Sequence, residues 1–335
     1  MPPEMTLLIA HRGASAEAPE NTIPAIRKAW KRSADGVEID IHITRDNRLA
    51  VIHDNDTGRV ARVALPVESS TLAQLQALDV GRWKRKRYLG RRIPTLAQAI
   101  TTIPTSKWLF AELKSGPRIA PFALRELIRN ARVAPHTMVC SFKLDTLAAM
   151  RDEAQRRNIQ GPPLGWIVPL PEVESLRDHA ERDTLFWRAE SAGCSWLSLH
   201  HSKAIDANFI SAARAANFKV AVWTVDKESD AARLVRVGVD AIISNDPKRI
   251  APYVCAAKGQ SSSNQNATPA ITPTRAAIPA WMDDPDTHPD THPDATSDPA
   301  SNAPAPEHAA VTSSPAPQPP PSQSEPRPDL PDTRS

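Results

Sequence analysis

Three stretches near the N-terminus decide the fold: IAHRGASAEAPENT (9–22), VEIDIHIT (37–44) and LAVIHD (49–54). The middle stretch alternates apolar and polar residues, which is the pattern of a β-strand with one face against a hydrophobic layer. The other two contain a short apolar strand that leads directly to a histidine, His11 or His53. Ionisable side chains therefore gather at strand ends, where a soluble protein seldom places so many unless a charged ligand binds between them.

Beyond these stretches, apolar runs and helical periodicities alternate to about residue 254. Repeated strand–helix units pair their strands in parallel, because each crossover returns the chain to the same end of the sheet. Eight such units in about 250 residues predict a TIM (β/α)8 barrel, whose active face lies at the C-terminal ends of the strands. Residues 49–53 are left out of the eight as a hairpin arm. The predicted strands are 6–10, 36–43, 108–114, 138–142, 164–168, 195–200, 220–225 and 241–244, and the predicted helices are 21–32, 95–102, 117–132, 144–157, 172–189, 206–216, 229–237 and 247–254.

Two segments depart from this alternation. Residues 54–92 are polar and basic and end in RWKRKRYLGRR, and we interpret them as a small insertion after the second strand. Residues 259–335 are rich in Pro, Ser, Ala, Thr and Asp and hold about half of the 33 prolines of the chain. Such a composition buries too little apolar surface to offset the entropy of ordering. We therefore predict a barrel domain over residues 1–258 and a disordered, Pro-rich acidic tail over 259–335.

The charge is divided in the same way. The tail has three Arg, no Lys and ten acidic residues, a formal charge of −7, which leaves +10 on residues 1–258 out of a total of +3. A basic globular part suits an anionic substrate, although a solvated basic surface would show the same balance.

Several features bear on location and partners. Cys140, Cys194 and Cys255 are far apart and lack CxxC spacing, which is typical of a reducing compartment rather than of a zinc site or a disulfide framework. The first residues, MPPEMTLLIAHRG, lack the basic and long apolar regions of a signal peptide, and no run approaches a membrane-spanning length. We expect a cytoplasmic protein with a small-molecule substrate, no nucleic-acid partner and no stable membrane insertion. The oligomeric state is not indicated by the sequence.

Three carboxylates point to a metal site. Glu38 and Asp40 share one strand face, and Glu112 lies near the end of the strand at 108–114. In a barrel mouth these groups repel one another and raise their own pKa values unless a cation compensates them. Oxygen ligands of this kind suit a divalent ion, Mg²⁺ or Ca²⁺. The alternative is a carboxylate network that Arg12 and Lys114 neutralise.

Two histidines and two cations complete the chemistry. His11 and His53 end separate strands, so they could act as a general acid and a general base on two sides of a reacting centre. Arg12 and Lys114 suit a phosphate, Arg as a bidentate fork and Lys as a point charge. Together with a metal ion these groups predict metal-assisted phosphodiester hydrolysis, without naming the alcohols.

Two further residues have open roles. His42 shares the face of Glu38 and Asp40, where an indirect or structural role is as consistent with the pattern as a direct one. Trp223 follows an apolar strand and is a candidate wall of the substrate pocket, although a tryptophan at a barrel-strand end also serves simple packing.

The motifs HRG…PENT (11–22), VEIDIHITRD (37–46) and VIHD (51–54) resemble those of the glycerophosphodiester phosphodiesterases. The similarity extends over about residues 6–254. It implies a TIM barrel with a small insertion after the second strand, and hydrolysis of glycerophosphodiesters, such as deacylated phospholipids, to glycerol 3-phosphate and an alcohol. Later landmarks that agree are IPTL (93–96), ELK (112–114), Ser141-Phe142, VWTVD (222–226) and GVDAIISNDP (238–247).

The resemblance also implies roles for individual residues. By position, Glu38, Asp40 and Glu112 are metal ligands, His11 and His53 are the acid–base pair, Arg12 contacts the phosphate with Lys114 beside it, and Glu20 and Asn21 belong to the motif that shapes the site.

Two positions depart from the family pattern. Arg59 is followed by Val60-Ala61 where the family usually shows Arg-Thr-Thr, and SNDP at 244–247 replaces Thr-Asp-x-Pro. The first lies toward the insertion and bears on leaving-group preference. The second is interpreted as a neutral change in a loop.

Alternative functions differ in what they require. A phospholipase D-like barrel acting on lysophospholipids or sphingolipids would need an apolar, membrane-facing rim, for which the insertion offers Trp83, Tyr88 and Leu89. A non-catalytic phosphodiester-binding protein would not need the complete set of site residues. A glycosidase using Glu38 and Asp40 would leave both histidines unexplained.

Overall fold

The computed structural model describes residues 5–130 and 134–262. Within these ranges the chain forms nine strands, and their bounds lie within a few residues of the predicted ones. The strands are β1 (Leu7–His11), β2 (Gly36–Ile43), β3 (Leu49–Val51), β4 (Trp108–Leu113), β5 (Thr137–Ser141), β6 (Leu164–Val168), β7 (Trp196–His200), β8 (Lys219–Trp223) and β9 (Ala241–Ser244).

Eight of the nine described strands close into a parallel barrel. The order is β1-β9-β8-β7-β6-β5-β4-β2, and β1 also pairs with β2, which closes the ring. The ninth strand, β3, pairs antiparallel with β2 outside the ring, as the arm of a hairpin. The predicted TIM barrel is therefore confirmed, including the exclusion of the hairpin arm from the eight.

Helices follow the strands and cover the outside of the barrel. Several begin at side-chain caps: Thr95 with Gln98 forms a capping box, and Asp206 accepts the backbone N–H of Phe209. The helices of the described residues are α1 (Ile23–Trp30), α2 (Gly58–Ala61), α3 (Leu72–Gln76), α4 (Leu96–Thr101), α5 (Ala120–Arg129), α6 (Leu144–Arg156), α7 (Leu170–Glu174), α8 (His179–Ser191), α9 (Ala207–Ala215), α10 (Glu228–Val237) and α11 (Pro247–Ser262).

The single helix predicted at 172–189 is wrong, because the chain forms α7, a 3₁₀ turn and then α8 in this region. The side chain of Asp178 accepts the backbone N–H groups of Ala180 and Glu181. An aspartate in extended backbone geometry that bonds these two groups starts a new helix. Helical periodicity on both sides of Asp178 concealed this break.

The C-terminal end of the barrel domain also differs from prediction. Helix α11 continues to Ser262 rather than ending near residue 254, and so extends into the first residues of the predicted tail. The remainder of the predicted tail, residues 263–335, lies outside the described residues, and the 258/259 domain boundary stays a prediction. Among the described residues, no helix combines the length and the apolar composition that crossing a lipid bilayer requires.

Strand alternation determines which side chains enter the barrel. Ile9, Phe110 and Trp196 belong to one apolar cluster inside the ring, whereas Leu8 and Val37 belong to the larger cluster that includes residues of the surrounding helices. Because side chains alternate along a strand, positions two residues beyond Ile9 and Phe110 also face inward, at the C-terminal mouth. These positions are His11 and Glu112.

Residues 54–92 form the predicted insertion, between β3 and α4. It has a small core of its own, which includes Val60, Val67 and Leu75 and packs against Ile52 of the hairpin segment. The three residues that the sequence offers for an apolar rim differ in exposure, and Trp83 is partly exposed. Tyr88 is 7% exposed and donates its hydroxyl to the carbonyl of Glu17, whereas Leu89 is 57% exposed.

Candidate active site

The barrel mouth brings together the ionisable residues of β1, β2 and β4. The strand register pairs His11 with Glu38, and Asp40 with Glu112. Lys114 follows β4 directly, and its backbone N–H bonds to the carbonyl of Ile41 on β2. Residues separated by up to about a hundred positions thus become neighbours because parallel strands end at the same edge.

Glu38, Asp40 and Glu112 form a buried acidic cluster. Each carboxylate offers an oxygen that lies within 4.8 Å of those of the other two. Burial and the charges of Asp40 and Glu112 raise the pKa of Glu38 well above its ordinary value, and burial with Asp40 raises the pKa of Glu112 to about 7. Burial also opposes ionisation of Asp40, but Arg12, Lys114 and His53 outweigh it and lower its pKa.

The cluster fits a hard divalent cation. Oε1 of Glu38 and Oδ1 of Asp40 are buried and accept no hydrogen bond from any described residue. The network of neutralising cations expected as the alternative is present in part, since Lys114 lies 2.7 Å from Glu112 and Arg12 lies 3.3 Å from Asp40. Nζ of Lys114 also lies 3.5 Å from Oδ1 of Asp40, an ion pair without a hydrogen bond. Two cations leave three carboxylates short of one positive charge, and buried carboxylate oxygens that accept no hydrogen bond are of the type that Mg²⁺ and Ca²⁺ bind.

A tight turn after β1 places Arg12 over the cluster. Arg12 and Gly13 both have positive φ, 56° and 79°. The backbone N–H of Arg12 donates to Oε2 of Glu38, while its guanidinium donates to Glu20. The turn thereby orients the Arg12 side chain across the mouth. It requires glycine at position 13, because a Cβ there would lie 2.5 Å from the carbonyl carbon of Ala25.

Replacing Gly13 by alanine is expected to lower the free energy of unfolding by about 2–4 kcal/mol, from a left-handed backbone and from overpacking. Gly90→Ala is the matched control, because Gly90 also has positive φ (82°) but its Cβ would meet nothing within 4 Å. Gly90→Ala is expected to cost about 1 kcal/mol, the backbone contribution alone. Urea unfolding of both variants measures the difference, and equal costs would contradict the steric argument.

His11 contacts a residue that the sequence did not identify as part of the site. Its Nδ1 lies 2.8 Å from Oδ1 of Asn245, and its Nε2 lies 3.9 Å from Oε2 of Glu38. Burial and the Arg12 charge lower the pKa of His11 to about 4, so the ring is neutral at pH 7. Asn245 is in the SNDP departure, which we interpreted as a neutral loop change; the departure includes a residue in contact with His11, and its neutrality stays a prediction.

His53 has a charged partner instead. Its Nδ1 lies 2.6 Å from Oδ1 of Asp54. Arg59 of the insertion donates to both carboxylate oxygens of Asp54 and to both of Glu20. Although burial opposes it, hydrogen bonds from Arg59 and His53 lower the pKa of Asp54 to about 2, so Asp54 is ionised at neutral pH.

Two further polar residues of the motifs, Asn21 and His42, contact other residues of the site. Asn21 donates its amide N–H to Asp40 and accepts the Asp40 backbone N–H, rather than capping α1. His42 is buried, and its Nε2 lies 3.1 Å from the backbone carbonyl of His53. The indirect role considered for His42 is therefore the one compatible with these contacts.

Trp223 lies on the other side of the mouth, among aromatic rings. Its ring centroid is 5.8 Å from that of Phe142 and 5.0 Å from that of His200, both edge-to-face. Its indole N–H donates to the carbonyl of Ser198. Trp223 and Phe142 are partly exposed, so this aromatic wall borders the opening of the barrel.

A TIM barrel with an acidic cluster, two histidines and two cations at its mouth has the features of a metal-assisted phosphodiester hydrolase. Residues 11–249 match the model of the glycerophosphoryl diester phosphodiesterase family. The chain belongs to this family and is a phosphoric diester hydrolase.

Individual relatives agree with this assignment. The chain is 31% identical to a glycerophosphodiester phosphodiesterase of Caldanaerobacter subterraneus subsp. tengcongensis, over 73% of this chain and 96% of that protein. A solved structure of an Oleispira antarctica phosphodiesterase in complex with the product sn-glycerol-3-phosphate is 27% identical, with a TM-score of 0.62, over 75% of this chain and 97% of that one. A glycerophosphodiester phosphodiesterase from Agrobacterium tumefaciens, 23% identical with a TM-score of 0.62, shares the fold over 74% of this chain and all of its own.

Proposed function

We propose that this enzyme hydrolyses glycerophosphodiesters, such as deacylated phospholipids, to glycerol 3-phosphate and an alcohol, in a reaction that requires a divalent cation. The observation that carries the proposal is the buried acidic cluster, in which Oε1 of Glu38 and Oδ1 of Asp40 accept no hydrogen bond from the described residues, together with His11 and His53. The Oleispira relative, described with sn-glycerol-3-phosphate as its product, supports the choice of substrate.

The residues that would hold the cation are Glu38, Asp40 and Glu112, whose carboxylates suit Mg²⁺ and Ca²⁺ alike. When bound, a divalent ion supplies positive charge that stabilises the phosphoryl oxygens as negative charge develops. The guanidinium of Arg12 can donate two hydrogen bonds to the same phosphoryl oxygens. Its salt bridges to Glu20 and Asp40 restrict its orientation. Lys114 contributes a second positive charge beside Glu112.

The two histidines are suited to different proton transfers. His11 is neutral and its Nδ1 is occupied by Asn245, so its Nε2 can accept a proton from the nucleophile, water or a neighbouring substrate hydroxyl. His53 is bonded to the ionised Asp54, which compensates a positive charge on its ring. We therefore assign protonation of the leaving alkoxide to His53. The aromatic wall at Trp223 is assigned to the substrate pocket.

Glycerol 3-phosphate release from glycerophosphocholine by the purified chain tests this function. We expect release with Mg²⁺ or Ca²⁺ and none with a chelator, and we expect lysophosphatidylcholine to be a poor substrate. Cleavage of the lysolipid, without release of glycerol 3-phosphate from glycerophosphocholine, would instead support the phospholipase alternative.

Cation affinity is expected to depend on pH. In the absence of a cation the pKa of Glu112 is about 7, and that of Glu38 is also raised, so these groups hold protons that a cation must displace. Affinity should therefore rise as the pH increases toward 7, by about tenfold per pH unit for the proton released from Glu112, with a further rise where Glu38 also releases a proton. Calorimetric titration with Mg²⁺ and Ca²⁺ in buffers of different ionisation enthalpy measures both effects, and a pH-independent affinity would contradict the prediction.

The proposal also includes a cytoplasmic location, a small-molecule substrate, no nucleic-acid partner and no stable membrane insertion. They rest on the composition and charge of the chain. The oligomeric state is left open.

A further inference from the structure

Two loops that follow β8 and β9 meet behind His11. The side chain of Asn245 donates from Nδ2 to Oδ2 of Asp226 at 2.7 Å, and the Asn245 backbone N–H donates to Oδ1 of Asp226 at 2.9 Å. Ser244 donates its hydroxyl to the same carboxylate. Because a carboxylate only accepts hydrogen bonds, Asp226 determines which end of the Asn245 amide faces it.

The other end of the amide is consequently an oxygen, and it faces His11. Oδ1 of Asn245 accepts the hydroxyl of Ser15 at 3.0 Å and lies 2.8 Å from Nδ1 of His11. An amide oxygen has no hydrogen to donate, so the His11 nitrogen that faces it, Nδ1, must carry one. In the neutral form of the ring this hydrogen bond places the lone pair on Nε2, the nitrogen on the side of Glu38.

We propose that Asp226 and Asn245 form a positioning pair that holds His11 in its Nδ1–H tautomer, with Nε2 free to accept a proton. This inference rests on the proposed role of His11 as general base. Neither residue touches the substrate in this account; both act through His11. The simpler alternative is that the pair only braces the loops, since the Asn245 carbonyl also accepts the backbone N–H of Ala16.

A positioning pair and a simple brace for the loops predict different results when the two residue types, Asp226 and Asn245, are swapped. Asn245→Asp introduces the residue of the family pattern, but in this chain it would put two carboxylates together where Nδ2 of Asn245 now donates to Asp226. This repulsion is expected to lower kcat about 10²-fold, the lower range of an acid–base contribution. Adding Asp226→Asn restores a donor and an acceptor and is expected to return kcat to within about tenfold of the original chain. Asn245→Leu removes both interactions and should lower kcat about 10²-fold while KM changes less than about threefold.

An NMR measurement determines the tautomer of His11 independently of enzyme activity. With ¹⁵N-labelled histidine, long-range ¹H–¹⁵N correlation spectra distinguish an Nδ1–H from an Nε2–H ring, and His11→Gln identifies the His11 signals. We expect the Nδ1–H pattern in the original chain and in the exchanged pair, and its loss in Asn245→Leu. Asp246→Ser is the control: it lies in the same loop, where its side chain accepts the N–H of Arg249, and serine can retain that bond. It is expected to leave kcat and the His11 signals unchanged.

Several outcomes would overturn the proposal. They are an Nε2–H ring in the original chain, a normal kcat in Asn245→Leu, or an Asn245→Asp defect that Asp226→Asn fails to reduce. Failure of the proposed function is recognised separately, because the original chain would then release no glycerol 3-phosphate while the His11 spectra still report on the pair.

Discussion

Replacing Glu112 by glutamine is expected to lower kcat/KM for glycerophosphocholine by at least about 10³-fold, the loss of several kcal/mol of charge stabilisation. The substitution keeps the size of the side chain but replaces one anionic oxygen of the acidic cluster by an amide. Lys114, 2.7 Å from Glu112, would then face an amide instead of its carboxylate partner. We therefore expect the affinity for Mg²⁺ and Ca²⁺ to fall together with activity, as measured by calorimetry and by glycerol 3-phosphate release.

Glu153→Gln provides a matched control for this substitution. Glu153 is also a buried glutamate, 2% exposed, but it lies on α6 and pairs with Arg156 and Arg157 away from the barrel mouth. Its replacement should lower the thermal midpoint while leaving kcat/KM and cation affinity within about threefold, since it touches none of the acid–base groups. Full activity of Glu112→Gln with undiminished cation binding would show that Glu112 is not a ligand of the proposed cation.

The barrel and most of its mouth could be predicted because they follow from local periodicities. The alternation in VEIDIHIT separates Glu38 and Asp40 from the apolar face of β2, and the same rule applied to β4 places Glu112 on the inner side. Parallel strands then bring these residues to one edge whatever their separation in sequence. No long-range information beyond the count of strand–helix units was needed.

The partners of the histidines could not be predicted, because they depend on loops whose conformation has no periodic signature. Asn245 meets His11 across 234 positions. Arg59 reaches Glu20 and Asp54 from a short helix in the insertion. In both cases a departure from the family motif marked the right place, at 244–247 and after Arg59. A change at a motif position beside a strand end is therefore a signal that the residue lies close to the site.

Helix boundaries failed for a related reason. The break at Asp178 depends on one side chain that can either continue a helix or cap the next one, and the flanking residues favour helix equally on both sides. Composition likewise marked Gly259 as the start of the tail, but a helix that is already formed can continue through a few small and polar residues. Such local competition is decided by packing rather than by propensity.

Replacing His53 by glutamine is expected to lower kcat for glycerophosphocholine about 10³-fold, within the range of a lost general acid. The reason is the leaving group: an alkoxide departs poorly unless it is protonated, and His53 is the histidine bonded to the ionised Asp54. A diester of glycerol 3-phosphate with p-nitrophenol has a leaving group that departs as a stable anion. With that substrate the His53→Gln defect should shrink to less than about tenfold, because no proton is required.

The same pair of substrates separates His53 from His11. If His11 activates the nucleophile through its free Nε2, His11→Gln should impair both substrates by similar factors, because the nucleophile is the same in each. His179→Gln, at an exposed position at the start of α8, is the control for loss of an imidazole and should leave both rates unchanged. If instead the His11 variant recovers with the p-nitrophenyl diester and the His53 variant does not, the two proton-transfer roles are reversed. The amide partner of His11 and the carboxylate partner of His53 would then have to be explained by the charge of the bound cation and substrate.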